Sequence, residues 1–127
     1  MSDSKAILTR TFEQENTTVI KHRIVKLGTA DNEVVAAVDA AALPVGVADE
    51  SADSTAGNPV GIVMQGIAKV TMAAASTKGL AVKAIAAGKG QTTSNAGDFC
   101  VGWLLETTTV NDQVAKVMVN PFIYAIT

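Results

Sequence analysis

The sequence predicts an all-β protein, a small sandwich or barrel of short strands with at most short helical turns. Three observations predict it. Short runs rich in valine and isoleucine recur about every 8–12 residues between turn signals. Two of those runs alternate strictly: Ala68, Val70 and Met72 share one face with Lys69 and Thr71 opposite, and Ala115, Val117 and Val119 oppose Val114, Lys116 and Met118. A glycine interrupts three of the most apolar runs, at Gly46, Gly61 and Gly102. Glycine weakens a strand by itself, so inside one it marks a bulge, a sharp bend or a close backbone approach.

The elements follow in order. Residues 1–18 are polar, with Ile7, Leu8 and Phe12 scattered and no period sustained, which predicts an extended N-terminal arm, either ordered on a partner or a plain frayed terminus. Residues 19–127 then form a single domain, as the length of 127 residues allows. Val19–Leu27 is β-branched and half alternating, a strand closed by Gly28 and the turn TADNE. In EVVAAVDAAAL the alanines favour helix, while the valines and the closing Pro44 favour a strand over Val34–Val38. PVGVADE is a short strand, and SADSTAGNP a loop. VGIVM and GIAKVTM are two short strands, or one bent at Gln65–Gly66. AAASTKG makes a helical turn before Gly79, LAVKAI a strand with Lys83 outward, and AAGKGQTTSNAGD a glycine-rich hairpin or loop. FCVGWLLE is apolar on both faces, so it is a central or covered strand. VAKVMVN is the last strand, ended by Pro121, and the tail Phe122–Ile126 is too apolar to stand in water.

Composition bounds the function. Cys100 is the single cysteine, which fits a reducing compartment. The start lacks the apolar core of a signal peptide, and no run reaches membrane-spanning length. A formal net charge of -2 at pH 7 does not favour nucleic acid. The charges are segregated, however. Between Leu27 and Ala68 all are acidic (Asp31, Glu33, Asp39, Asp49, Glu50, Asp53), and the lysines and arginines lie before and after. Faces of opposite sign either stay solvated or meet head to tail between subunits or with a partner.

No arrangement carries chemistry. AGKGQTT lacks the order of a phosphate loop, because Lys89 lies between two glycines and no helix pattern follows. DSTAG carries an insertion relative to an aspartic-protease loop and has no second copy. His22 is the only histidine, with no acid or cysteine near it in sequence, and Cys100 sits among bulky apolar residues as a core thiol. Asp49, Glu50 and Asp53 lack the spacing of a calcium loop. Trp103 is a packing anchor, within the subunit or at an interface. No cofactor and no metal are expected, and an enzyme built across subunits would have too few groups to work with.

The order of the segments adds a resemblance. PVGVADE, STAGNPV, GIAKVTM, TKGLAVKA, AGKGQTT, VGWLLETT and VAKVMVNP stand in the order found in small tailed-phage capsid decoration proteins, which cement the icosahedral head. The resemblance covers Val19–Pro121 and leaves the N-terminal arm unmatched. It implies a compact β-barrel or β-tulip. It implies homotrimers on the outer surface of the virion, at three-fold and local three-fold positions, bound to the major capsid protein and resisting the pressure of packaged DNA. No nucleic acid, membrane or reaction is implied. On this reading Lys5, Ile7, Leu8, Arg10 and Phe12 of the arm contact the capsid, adding a strand to a sheet edge. Val101, Gly102, Trp103 and Leu104 contribute to the subunit interface, and Gly46, Gly61 and Gly102 set the backbone bends. The competing readings are a head-fibre base or tail component, and a cellular carrier barrel with Lys89 at a hairpin tip.

Overall fold

The structure is a computed structural model and describes residues 5–15, 20–41, 43–49 and 59–125. Among the described residues nine strands follow one another: β1 (Lys5–Gln14), β2 (Ile24–Leu27), β3 (Glu33–Ala36), β4 (Gly46–Ala48), β5 (Pro59–Met72), β6 (Ala81–Ala84), β7 (Gly90–Thr93), β8 (Phe99–Leu104) and β9 (Gln113–Ile123). A short 3-10 turn, Ala86–Gly88, separates β6 from β7. The protein is all-β, as its alternating and β-branched runs require.

The strands hydrogen-bond in the order β1-β3-β2-β4-β5-β7-β6-β8-β9, and two further pairings, β1–β5 and β5–β9, close it into two circuits. One runs β1-β3-β2-β4-β5, the other β5-β7-β6-β8-β9. β5 belongs to both. Its 14 residues would span about 45 Å, long enough for one half to serve each circuit. β1 and β4 pair with the half from Pro59 to Ile67, and β9 pairs with Gly66–Met72.

The interior follows this division. Phe12, Val25, Val34, Ala48, Val60 and Ile62 pack together inside the first circuit. Val70, Met72, Val82, Val101, Leu104, Val117 and Val119 fill the second, in a cluster that reaches back to Ile24 and Val47. Most of these side chains are small, as a tightly curved barrel with little interior space demands.

Several expectations change. The arm is corrected first. Lys5–Gln14 is antiparallel to β5 from Lys5↔Ile67 to Glu13↔Pro59, with register shifts on either side of Leu8. Its lack of period has a cause: Leu8, Thr9, Arg10 and Thr11 are all exposed in succession, and Phe12 is buried. The expected boundary at residues 18 and 19 falls outside the described residues. Of the two alternatives for VGIVM and GIAKVTM the single strand holds: β5 is continuous through Gln65–Gly66, where Gly66 has φ +117°. AAASTKG is not helical: Ser76 pairs with Thr108 in an isolated bridge. The helical turn lies instead in the glycine-rich segment, which also supplies β7. Pro121 does not end β9. Beyond Val119 the strand continues against β8, and Pro121 lies opposite the register shift between Cys100 and Gly102, where its missing N–H costs no ladder bond. The loop expected over SADSTAGNP lies outside the described residues up to Pro59, which opens β5.

Candidate functional site

The residues that carry chemistry in other proteins are occupied here. Cys100 is buried, and its Sγ donates to the Asp98 carbonyl oxygen at 3.7 Å. Burial, reinforced by the nearby Asp98 carboxylate, pushes the thiol up to about 11, so little nucleophilic thiolate forms near neutrality. His22 sits in the left-handed region at φ +67°. Burial, then Lys21 and Lys69, hold its pKa below the ordinary histidine value, leaving the ring neutral. Lys89 is not a free hairpin tip, because it pairs with Asp112 at 2.6 Å. Asp49 is exposed, while Glu50 and Asp53 lie outside the described residues. Among the described residues no three His, Cys, Asp or Glu side chains are grouped to hold a metal ion.

What remains are surfaces. In β8 the side chains of Val101 and Leu104 are inside the subunit, 0% and 1% exposed, and Gly102 is buried as well. They cannot reach a partner, which corrects that part of the expected interface. Trp103 does face out, 39% exposed, directly across from Met118 of β9 at 46%. The Trp103 ring stacks on Phe122 with centroids 4.9 Å apart and planes 10° from parallel. Val114 extends the same face of β9. Lys69 of β5 and Lys116 of β9 are direct cross-strand partners beside it. The face is therefore apolar at its centre and cationic along one side.

Gly102 opens this face from behind. A Cβ there would overlap the Met118 carbonyl oxygen and stand 2.8 Å from its carbon. The glycine lets β8 and β9 approach at the bulge, so both its bend and its close contact are internal. Gly46 has the same function between β4 and β5, where a Cβ would overlap the Val63 carbonyl oxygen. Gly61 marks no bend: Arg10↔Ile62, Thr11↔Gly61 and Phe12↔Val60 stay in regular register.

The expected capsid contacts of the arm divide likewise. Phe12 is 2% exposed and belongs to the first core, so it is withdrawn from the surface set. Arg10 lies over its ring at 4.8 Å and donates to Asn32 Oδ1 at 3.2 Å. Leu8 is exposed beside Arg10 on β1. Lys5 and Ile7 belong to β1, and their side chains lie outside the described residues.

A cleft on the first circuit had no counterpart in the sequence reading. Its volume is 420 Å³, and Glu15, Lys26, Leu27, Gly28, Thr29, Val35, Ala36 and Val38 line it. Leu27 and Val38 are exposed at its mouth. Glu15 Oε1 accepts the Thr29 N–H at 2.6 Å. Hydrogen bonds from the Thr29 side chain and backbone, helped by Lys26, hold the carboxyl below its usual range, so it is anionic at neutral pH. Met118 was legible, since the alternation of VAKVMVN already placed it outward. The cleft was not, because it joins residues from three separate segments.

No curated protein sequence matches the chain. Among solved structures, the head fibre gp8.5 N base of bacteriophage phi29 superposes with a TM-score of 0.71 at 16% identity, covering 89% of this chain and 93% of that one. At that identity the likeness speaks for the fold. The sequence model of a family described as phage cement protein matches residues 1–119, nearly the whole chain and every strand but the end of β9. The barrel, its exposed apolar face and this match lead to one conclusion: the chain belongs to the phage cement protein family.

Proposed function

We propose that this protein decorates the outer surface of a tailed-phage head, binding the major capsid protein as a homotrimer at three-fold and local three-fold positions. There it stabilises the shell against packaged DNA. Membership of the cement family carries the reading, since it makes the protein a structural component of a phage virion. The physical logic is one of many weak contacts multiplied by symmetry, so that avidity replaces single-site affinity. Leu8 and Arg10, exposed on β1, are the proposed capsid contacts. Trp103 and Met118 are the proposed subunit contacts.

The test is to add purified protein to heads that lack it. Electron microscopy should show density at the three-fold positions, and the decorated heads should keep their DNA at temperatures that empty bare ones. Density elsewhere, or unchanged DNA retention, would overturn the proposal. The fold likeness to a head-fibre base favours a second reading, in which the barrel is the foot of a longer fibre. Density projecting far beyond one barrel, at a sparse set of positions, would identify it.

A further inference from the structure

β1 has two long edges, and they are used unequally. Along the first it is antiparallel to β5, with Thr9↔Val63, Arg10↔Ile62, Thr11↔Gly61, Phe12↔Val60 and Glu13↔Pro59 in unbroken register. Along the second, β3 pairs with Glu13 and Gln14 alone. The Glu13 N–H donates to the Asn32 carbonyl oxygen at 2.9 Å, so it points away from β5. Main-chain groups of an antiparallel strand alternate between its two sides, which turns the N–H and C=O of Thr11 and of Thr9 to the same side as the Glu13 N–H. There they meet no hydrogen-bond partner among the described residues. β3 does not reach them, because it begins only at Glu33, after a turn in which Asn32 has φ +63°. Leu8, Thr9, Arg10 and Thr11 are all exposed, so solvent reaches both faces of this stretch. A row of unpaired N–H and C=O groups is a template for a further strand.

We propose that the open edge of β1 at Thr9–Thr11 accepts an extended segment of the head protein, which adds a strand beside β1 where β3 stops. The bonds are main chain to main chain, so the edge selects an extended backbone and not a particular side chain. Arg10 argues against a second copy as the occupant. The antiparallel register in which another copy would satisfy Thr9 and Thr11 at once sets Arg10 directly against the partner's Arg10, and like charges so placed repel. Arg10 is held on this stretch: its guanidinium lies over the Phe12 ring at 4.8 Å and donates to Asn32 Oδ1 at 3.2 Å. A segment of another protein with no cation opposite Arg10 escapes that repulsion. The inference rests on the capsid-binding reading and deepens it, because it moves the contact from the side chains of β1 to its backbone.

The experiment compares two changes at one position in the full chain, with purified heads lacking this protein as the probe. Thr11→Pro removes the outward N–H, and proline is tolerated on an edge strand where that N–H faces solvent. Thr11→Ala removes the side chain and keeps the N–H. Thr11→Pro should melt close to the parent and bind heads at least about tenfold more weakly, while Thr11→Ala should bind as the parent does. Equal binding by Thr11→Pro would overturn the proposal, and so would equal losses in both variants, which would assign the contact to the threonine side chain. Hydrogen exchange on the unmodified protein gives a readout that does not depend on the proline variant folding. The Thr9 and Thr11 amides should exchange rapidly in the free protein and slowly on heads, whereas the Phe12 amide should be slow in both. Rapid exchange on heads would overturn the proposal. Slow exchange in the free protein would overturn it too and give the edge to a second copy. If the parent binds heads while Thr9 and Thr11 stay unprotected, the edge falls and the capsid-binding reading stands. If the parent does not bind heads, both fall.

Discussion

Gly102 and Met118 are in backbone contact across β8 and β9: a Cβ at position 102 would overlap the Met118 carbonyl oxygen and lie 3.1 Å from the Val119 Cα. The obstacle is main chain, which no rotamer change can move aside. Gly102→Val should therefore fail by unfolding and not by loss of assembly, at a cost on the order of 3 kcal/mol. Thermal melting checks this. A variant that melts normally but no longer assembles would mean that the glycine serves another subunit.

β1 is part of the first core. Phe12→Ala should destabilise the protein by about 3–5 kcal/mol through the cavity it leaves among Val25, Val34, Val60 and Ile62. Deleting residues 1–12 should do more, since it strips the partner from one edge of β5. Denaturant titration would show an early loss of cooperativity. Leu8→Ser, by contrast, should leave melting within about 0.5 kcal/mol, while Arg10→Glu, which gives up the contact over Phe12 and the bond to Asn32, should cost about 1 kcal/mol; both should weaken head binding. Equal melting of the deletion and the full chain would restore the picture of a detachable arm.

His22 makes stability fall on the acid side. Its folded pKa lies below the ordinary 6.5, mainly because burial disfavours the imidazolium. A depressed folded value contributes stability that is present above pH 6.5 and is lost as pH falls toward the folded value. His22→Asn keeps a residue that tolerates the positive φ and removes the titration. The difference in melting temperature between variant and parent should therefore change sign or shrink between pH 7.5 and pH 5, conditions chosen to bracket the ordinary histidine value. A constant difference across that range would show that the ring does not titrate on unfolding.

Cys100 works in the opposite direction. Its folded pKa of about 11 exceeds the ordinary thiol value of 9.0, so its contribution is complete below pH 9 and is lost as pH rises toward 11. In the native protein the thiol should react with a disulfide reagent only slowly at pH 8, and fully on addition of denaturant. Rapid native labelling would mean that the second barrel opens readily at β8.

The sequence by itself determined the class of structure and the inner face of its later strands. Ala68, Val70 and Met72, and Ala115, Val117 and Val119, are buried because side chains alternate with period 2 whatever their neighbours are. It also showed that His22 is the only histidine and Cys100 the only cysteine. Alternation is a local property and survives without tertiary information. Pairing is not local. Only the tertiary structure could recruit residues 5–14 as a strand, because their pattern is written by which face β5 covers and which β1 leaves to solvent. Only it could join β5 to both circuits, or show that Gly102 faces β9 and not a partner. The exposed faces follow the same division. Met118 points outward by its parity in β9, but Trp103 stands across from it, and Glu15 beside Leu27 and Val38, because strands distant in sequence are held about 5 Å apart by backbone hydrogen bonds.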